Sequence, residues 1–125
     1  MTAALWLALS LGTLPRQDLA PGECAIFLWR GDPRPALLLV ARGGAARIAL
    51  GSGARDLARA DGADPSKPAA SARYADATLS VSVDLVLEER EGLAKGALVR
   101  DGTVSVTEAG GDTLVQPVGG LLACR

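Results

Sequence analysis

The stretch "TLSVSVDLVL" (residues 78–87) alternates without a break: Leu79, Val81, Val83, Leu85 and Leu87 fall on one face, and Thr78, Ser80, Ser82 and Asp84 on the other. Successive side chains of a β-strand point to opposite faces. This period of two therefore predicts an antiparallel strand with one face in a core and the other in water. Downstream, "EEREG" (88–92) reads as a turn, and "AKGALVR" (94–100) as a strand running into Asp101-Gly102, a hairpin dipeptide. "TVSVTE" (103–108) alternates again, Gly110-Gly111 turns the chain, and "DTLVQPV" (112–118) leads to "GLLAC" (120–124). Pro117 has no N–H for a ladder, so the last strand is expected at a sheet edge or broken at that point.

Upstream, "CAIFLWR" (24–30) is apolar on both faces and reads as a strand covered on both sides, ended by the turn "GDPRP" (31–35). "ALLLVAR" (36–42) and "AARIAL" (45–50) are strand-length runs joined by Gly43-Gly44, a hairpin signal. Between Gly51 and Asp76, Gly, Pro and Ser punctuate the chain. A long loop is expected there, with at most a short helical turn around Asp56–Ala60. About seven short strands joined mostly by tight turns predict an all-β fold, a single small antiparallel meander closing into a barrel or sandwich.

The chain has 125 residues, enough for one domain. Residues 1–20 are expected to be a signal peptide or apolar N-terminal segment, and residues 21–125 a single β domain. The opening "MTAALWLALSLGTLP" carries no charge before Arg16. It is too short to span a bilayer but long enough for the apolar core of an export signal. Ser10 and Gly12 would allow cleavage before Thr13, and Ala20 offers a second site. No basic residue precedes the apolar run, so the true start lies upstream or the run is a buried first strand. The two cysteines, Cys24 and Cys124, are spaced far too widely for a redox or metal knuckle. A structural disulfide and a periplasmic or secreted location follow as expectations. Glu23 stands where a lipid-attachment motif needs a small residue.

Composition narrows the function classes. There is no histidine, which removes Ser-His-Asp and Cys-His catalysis, His-ligated zinc and the usual proton shuttle near neutral pH. The net charge of −1 provides no overall field toward nucleic acid or anionic lipid. Charge is uneven, however: residues 30–59 hold six arginines against two aspartates, and residues 76–112 hold eight acids against three bases. Pairing of the two halves across a sheet is the expected use. "GSGARD" (51–56) lacks the Lys-Ser/Thr of a phosphate loop, and adjacent Ser66-Lys67 cannot hold the geometry of a catalytic dyad. Glu88, Glu89 and Glu91 lack the aromatic lining of a sugar cleft, and "DGADP" (61–65) lacks a downstream bidentate glutamate for calcium. No enzyme, cofactor, metal site or stable membrane span is expected.

The expected function is binding of a protein or cell-envelope component through loop 51–76, with Lys67, Ser71, Arg73 and Tyr74 as contact residues, since Tyr and Arg anchor many interfaces. "GECAIFLW" together with the closing "RDGTVSVTEAGGDTLVQPVGGLLACR" resembles a group of small secreted proteins of Gram-negative bacteria, a resemblance that implies export but no activity. "ASARY" (70–74) is similar to a loop of the periplasmic inhibitors of c-type lysozyme, small β-barrels with an early and a late cysteine. Ser71 and Tyr74 stand for that loop's serine and tyrosine, and Ala72 stands where its glycine belongs. The inhibitors' later aromatic and Lys-Gly motif is missing. This second resemblance implies an alternative, inhibition of c-type lysozyme or another hydrolase through Ser71, Arg73 and Tyr74.

Overall fold

The computed structural model describes residues 10–31, 35–61, 69–89 and 96–125. Among them eight strands and no helix form: β1 (Cys24–Arg30), β2 (Ala36–Ala41), β3 (Ala45–Leu50), β4 (Gly53–Arg59), β5 (Ser71–Ala75), β6 (Leu79–Glu88), β7 (Ala97–Glu108) and β8 (Thr113–Cys124). Each pairs antiparallel with the next, and β8 returns to β1 to close a barrel. The segment read as a loop contains two strands, β4 and β5, while the runs 94–100 and 103–108 read as two strands join in β7, so eight strands stand where about seven are expected. No helical turn forms over Asp56–Arg59, which belongs to β4.

Alternation sorts the side chains. Ile26 and Leu28 of β1, Ile48 of β3, Val81 and Val83 of β6, and Val104 and Val106 of β7 are buried in the main core cluster. The hairpin through Gly43-Gly44 forms as expected, with Arg42 N–H donating to the Ala45 carbonyl at 2.8 Å. In β2, Leu28 faces Leu39 and Trp29 faces Leu37, so Leu38 is an extra, unpaired residue. This bulge turns both Leu38 and Leu39 into the core.

Asp101-Gly102 is not a hairpin turn. It lies inside β7, flanked by β6 on one side and β8 on the other, where the register skips a residue. Pairing with two neighbours outweighs the local turn preference, and a bulge at Arg100-Asp101 absorbs the extra residue. A Cβ on Gly102 would sit 2.6 Å from Leu85 Cδ2 and 3.3 Å from Val118 Cγ2, so the glycine serves a close approach. β8 likewise runs unbroken through Pro117, and it is not a sheet edge along its whole length, because β1 covers it from Gly119 onward.

The two cysteines are directly opposed in the β1–β8 register and are bridged, closing a loop with a sequence separation of 100. Arg125 N–H donates to the Glu23 carbonyl and Gly22 N–H to the Arg125 carbonyl, so hydrogen bonds flank the bridge. Residues 10–23 form a strap: Leu11 bridges Leu50 and packs against the main core, and from Leu14 onward the segment lies over the outer faces of β1–β3. Gly12 N–H bonds the Ala49 carbonyl, Leu14 N–H bonds the Leu37 carbonyl, and the Arg42 and Arg125 guanidiniums bond the carbonyls of Asp18 and Leu19. Leu14 packs with Ala25, Val40 and Ala49 in a second apolar cluster, with Leu19, Phe27 and Leu37 at its margin. This strap is what covers the outer side of β1.

Three outcomes are expected. Replacing both cysteines by serine should lower unfolding free energy by about 4 to 5 kcal/mol in the chain-entropy account of a loop this long, read from denaturant midpoints of the two proteins. A chain starting at Thr13 gives up the Gly12–Ala49 and Ser10–Gly51 backbone bonds and should lose about 1 to 3 kcal/mol. One starting at Pro21, which uncovers the second cluster, should lose about 2 to 5 kcal/mol, the range for a deleted buried leucine.

Candidate functional site

Because Ile26 and Leu28 face inward, the intervening Phe27 and Trp29 face outward. Their rings lie 6.2 Å apart and 26° from parallel on the outer wall. Leu121 of β8 sits opposite Phe27 and Leu37 of β2 opposite Trp29. The strap adds Leu14, Arg16 and Gln17, and together these residues line an open groove of about 450 Å³. Its floor is apolar and its rim polar. Gln17 is held by two bonds, donating to the Pro15 carbonyl and accepting from Arg47 Nη1 at 3.0 Å. Arg16 is paired with Asp18 at 3.2 Å and is highly exposed. Gly120 lets β8 approach here: a Cβ at that position would lie 1.8 Å from the Phe27 carbonyl oxygen.

The residues expected to contact a partner lie elsewhere. Lys67 is outside the described residues. Ser71, Arg73 and Tyr74 are on β5, four strands from β1 in the ring. Ser71 is exposed and its hydroxyl bonds Asp84 Oδ1 at 3.0 Å; with Asp101 and Thr103 they line a shallow cleft of about 270 Å³. Arg73 is also exposed and donates to the Ala60 carbonyl at 2.7 Å. Tyr74 alternates inward and is fully buried, so its ring is part of the core and presents nothing to a partner at the surface. Its phenol oxygen has no hydrogen-bond partner among the described residues, and burial pushes its pKa above the ordinary tyrosine range. The segment "ASARY" is thus mostly strand rather than a projecting loop.

The joint between β4 and β5 is short. Ala58 faces Ala75 and Arg59 faces Tyr74, and side chains take over at both ends. At one end Arg59 pairs with Asp61 at 2.9 Å, and Asp61 Oδ2 also accepts the Arg73 N–H. The Arg59 guanidinium lies 5.8 Å from the centre of the Tyr74 ring. At the other end Arg55 pairs with Asp76 at 2.8 Å and also donates to Thr78 Oγ1. Asp76 additionally accepts the N–H groups of Thr78 and Leu79. The hydrogen bond from Arg55, followed by the one from the Thr78 backbone, holds its carboxyl well below the usual range, at about 2. Pairing between the basic and acidic halves is realised in Arg55–Asp76, but Arg47–Asp56, Arg59–Asp61 and Arg42–Glu23 join near neighbours on or beside the basic strands.

Among the described residues no three Asp, Glu, Cys or His side chains gather as a metal site would require. No family model, curated protein or solved structure matches the chain.

Because Asp76 is more acidic in the folded protein than the value of about 3.9 in an unfolded chain, its contribution is complete above that value. It is lost as pH falls through about 2. Asp76→Asn should therefore be less stable at neutral pH and should lose less stability between pH 5 and pH 2 than the parent; thermal melts across that range read the difference.

Proposed function

We propose that this chain is a non-enzymatic binding domain of the periplasm or the extracellular space. It holds an apolar part of a protein or cell-envelope component in the groove floored by Phe27 and Trp29. The observation that carries this reading is the stacked aromatic pair on the outer wall, in a chain with only four aromatic residues. Half-exposed aromatics beside polar groups typify binding patches, because they contribute large contact area at low entropic cost. The disulfide supports an oxidising compartment. The likeness to small secreted Gram-negative proteins points the same way. Use of segment 51–76 as the contact rests on Ser71, which lines the shallow cleft, and on the exposed Arg73.

Those two residues also carry the second reading, inhibition of c-type lysozyme or another hydrolase, although Tyr74 is interior and cannot take part at the surface.

Photocrosslinking in the envelope of a Gram-negative host tests the first reading. A photoreactive side chain replacing Leu121 should give discrete adducts, one replacing Ser105 should not, and Trp29→Ala should abolish the Leu121 adducts. Absence of adducts at Leu121 would overturn it. For the second reading, lysozyme activity should fall on titration with the protein and recover with Arg73→Ala; unchanged lysis at high molar excess removes it.

A further inference from the structure

β8 is longer than the part of it that β1 covers. β7 runs beside it from Thr113 to Leu122, whereas β1 joins it from Gly119 to Cys124. Over Thr113–Val118 no strand among the described residues lies on its other side. Such an edge offers unpaired N–H and C=O groups and is a template for another chain.

The pairing with β7 determines which groups face that edge. Glu108 N–H donates to the Asp112 carbonyl at 2.9 Å, which marks that pair as hydrogen-bonded. Alternation along an antiparallel ladder then makes Thr107/Thr113, Ser105/Val115 and Thr103/Pro117 the pairs not bonded to each other. The 3.1 Å contact between the Thr107 and Thr113 hydroxyls agrees, since side chains approach most closely at such pairs. Thr113, Val115 and Pro117 therefore turn their backbone groups toward the free edge. Val115, at its centre, is 61% exposed, the most of any large apolar side chain among the described residues.

Two features disable one end of this edge. Pro117 has no N–H to donate, and its carbonyl already accepts Gln116 Nε2 at 2.9 Å. We propose that Pro117 and Gln116 together keep the β8 edge from pairing with the β8 edge of a second copy of this chain. A two-fold antiparallel register centred on Val115 would place Val115 against Val115, and Thr113 of each copy against Pro117 of the other. In that register the proline withholds a donor and the glutamine amide occupies the acceptor, which leaves the central Val115 pair alone. A contact of so few bonds is too weak to hold two copies together. The chain thereby keeps a long β7–β8 hairpin without using it to self-associate.

Sedimentation equilibrium from micromolar to millimolar protein tests the proposal, with circular dichroism confirming the fold of each variant. The parent should remain monomeric. Pro117→Thr restores one donor per copy and should tighten self-association by roughly tenfold to a hundredfold. Gln116→Ala frees only the acceptor and should shift association the same way by less. Adding Val115→Lys to Pro117→Thr should return the protein to monomer, since like charges would meet at the centre of the register. A folded Pro117→Thr variant that stays monomeric to millimolar concentration overturns the proposal, as does a dimer that Val115→Lys fails to dissolve. If Pro117→Thr does not fold, Gln116→Ala decides alone, and no change in its association overturns the proposal.

Discussion

Closure of the ring between β1 and β8 is the strand pairing most distant in sequence and the one without which the other pairs form only an open, edge-exposed sheet. Six residue pairs join the two strands, from Cys24 opposite Cys124 to Trp29 opposite Gly119. They bring together residues 90 to 100 positions apart, so forming this seam carries the largest loop-closure entropy among the strand pairings. The disulfide stands at one end of the seam, where hydrogen bonds between residues 22–23 and Arg125 flank it. Gly120 stands near the other end and allows the two backbones to approach. Cys124 thus fastens the strand that closes the barrel.

A closed eight-stranded ring leaves little room inside, and the interior is filled by Val, Leu, Ile and Ala with Tyr74 as its large member. Phe27 and Trp29 alternate to the outside, where the strap shelters only part of their surface. The proposed binding groove is therefore a by-product of the closure: the same alternation that buries Ile26 and Leu28 places two aromatic rings on the outer wall. The ring also leaves unequal strands overhanging it. β8 extends beyond β1, and the proline that falls in the overhang has no N–H to leave unpaired there.

Strands with a strong inward apolar set were legible from the sequence, and strands without one were not. β6 and the second half of β7 show their period directly in valine and leucine. β4, "GARDLAR", has Leu57 as its single core side chain, and its arginines and aspartate look like loop residues until Arg47, Asp76 and Asp61 are seen to pair with them. β5 is short, and its inward pair, Ala72 and Tyr74, gives a weak apolar signal. Tyr74 beside Arg73 resembles an interface anchor in one dimension, yet alternation sends the two side chains to opposite sides. The groove was missed for a related reason: "CAIFLWR" is apolar on both faces, and nothing in that run tells which face lies inward or what covers the other.

The sequence by itself determined the class of the fold, because period-2 alternation of β-branched residues and glycine-rich turns suit a pleated sheet and little else. It also determined the exclusions that follow from having no histidine and the pairing that follows from having two cysteines. Tertiary structure decided the closure of the ring, the strand character of 53–59 and 71–75, the bulge at Arg100-Asp101 and the surface on which Phe27 and Trp29 meet Leu121. Each of these depends on a neighbour far away in the chain. A strand bonded on both sides overrides its local turn preference, and a side chain becomes surface or core only when the partner strand arrives.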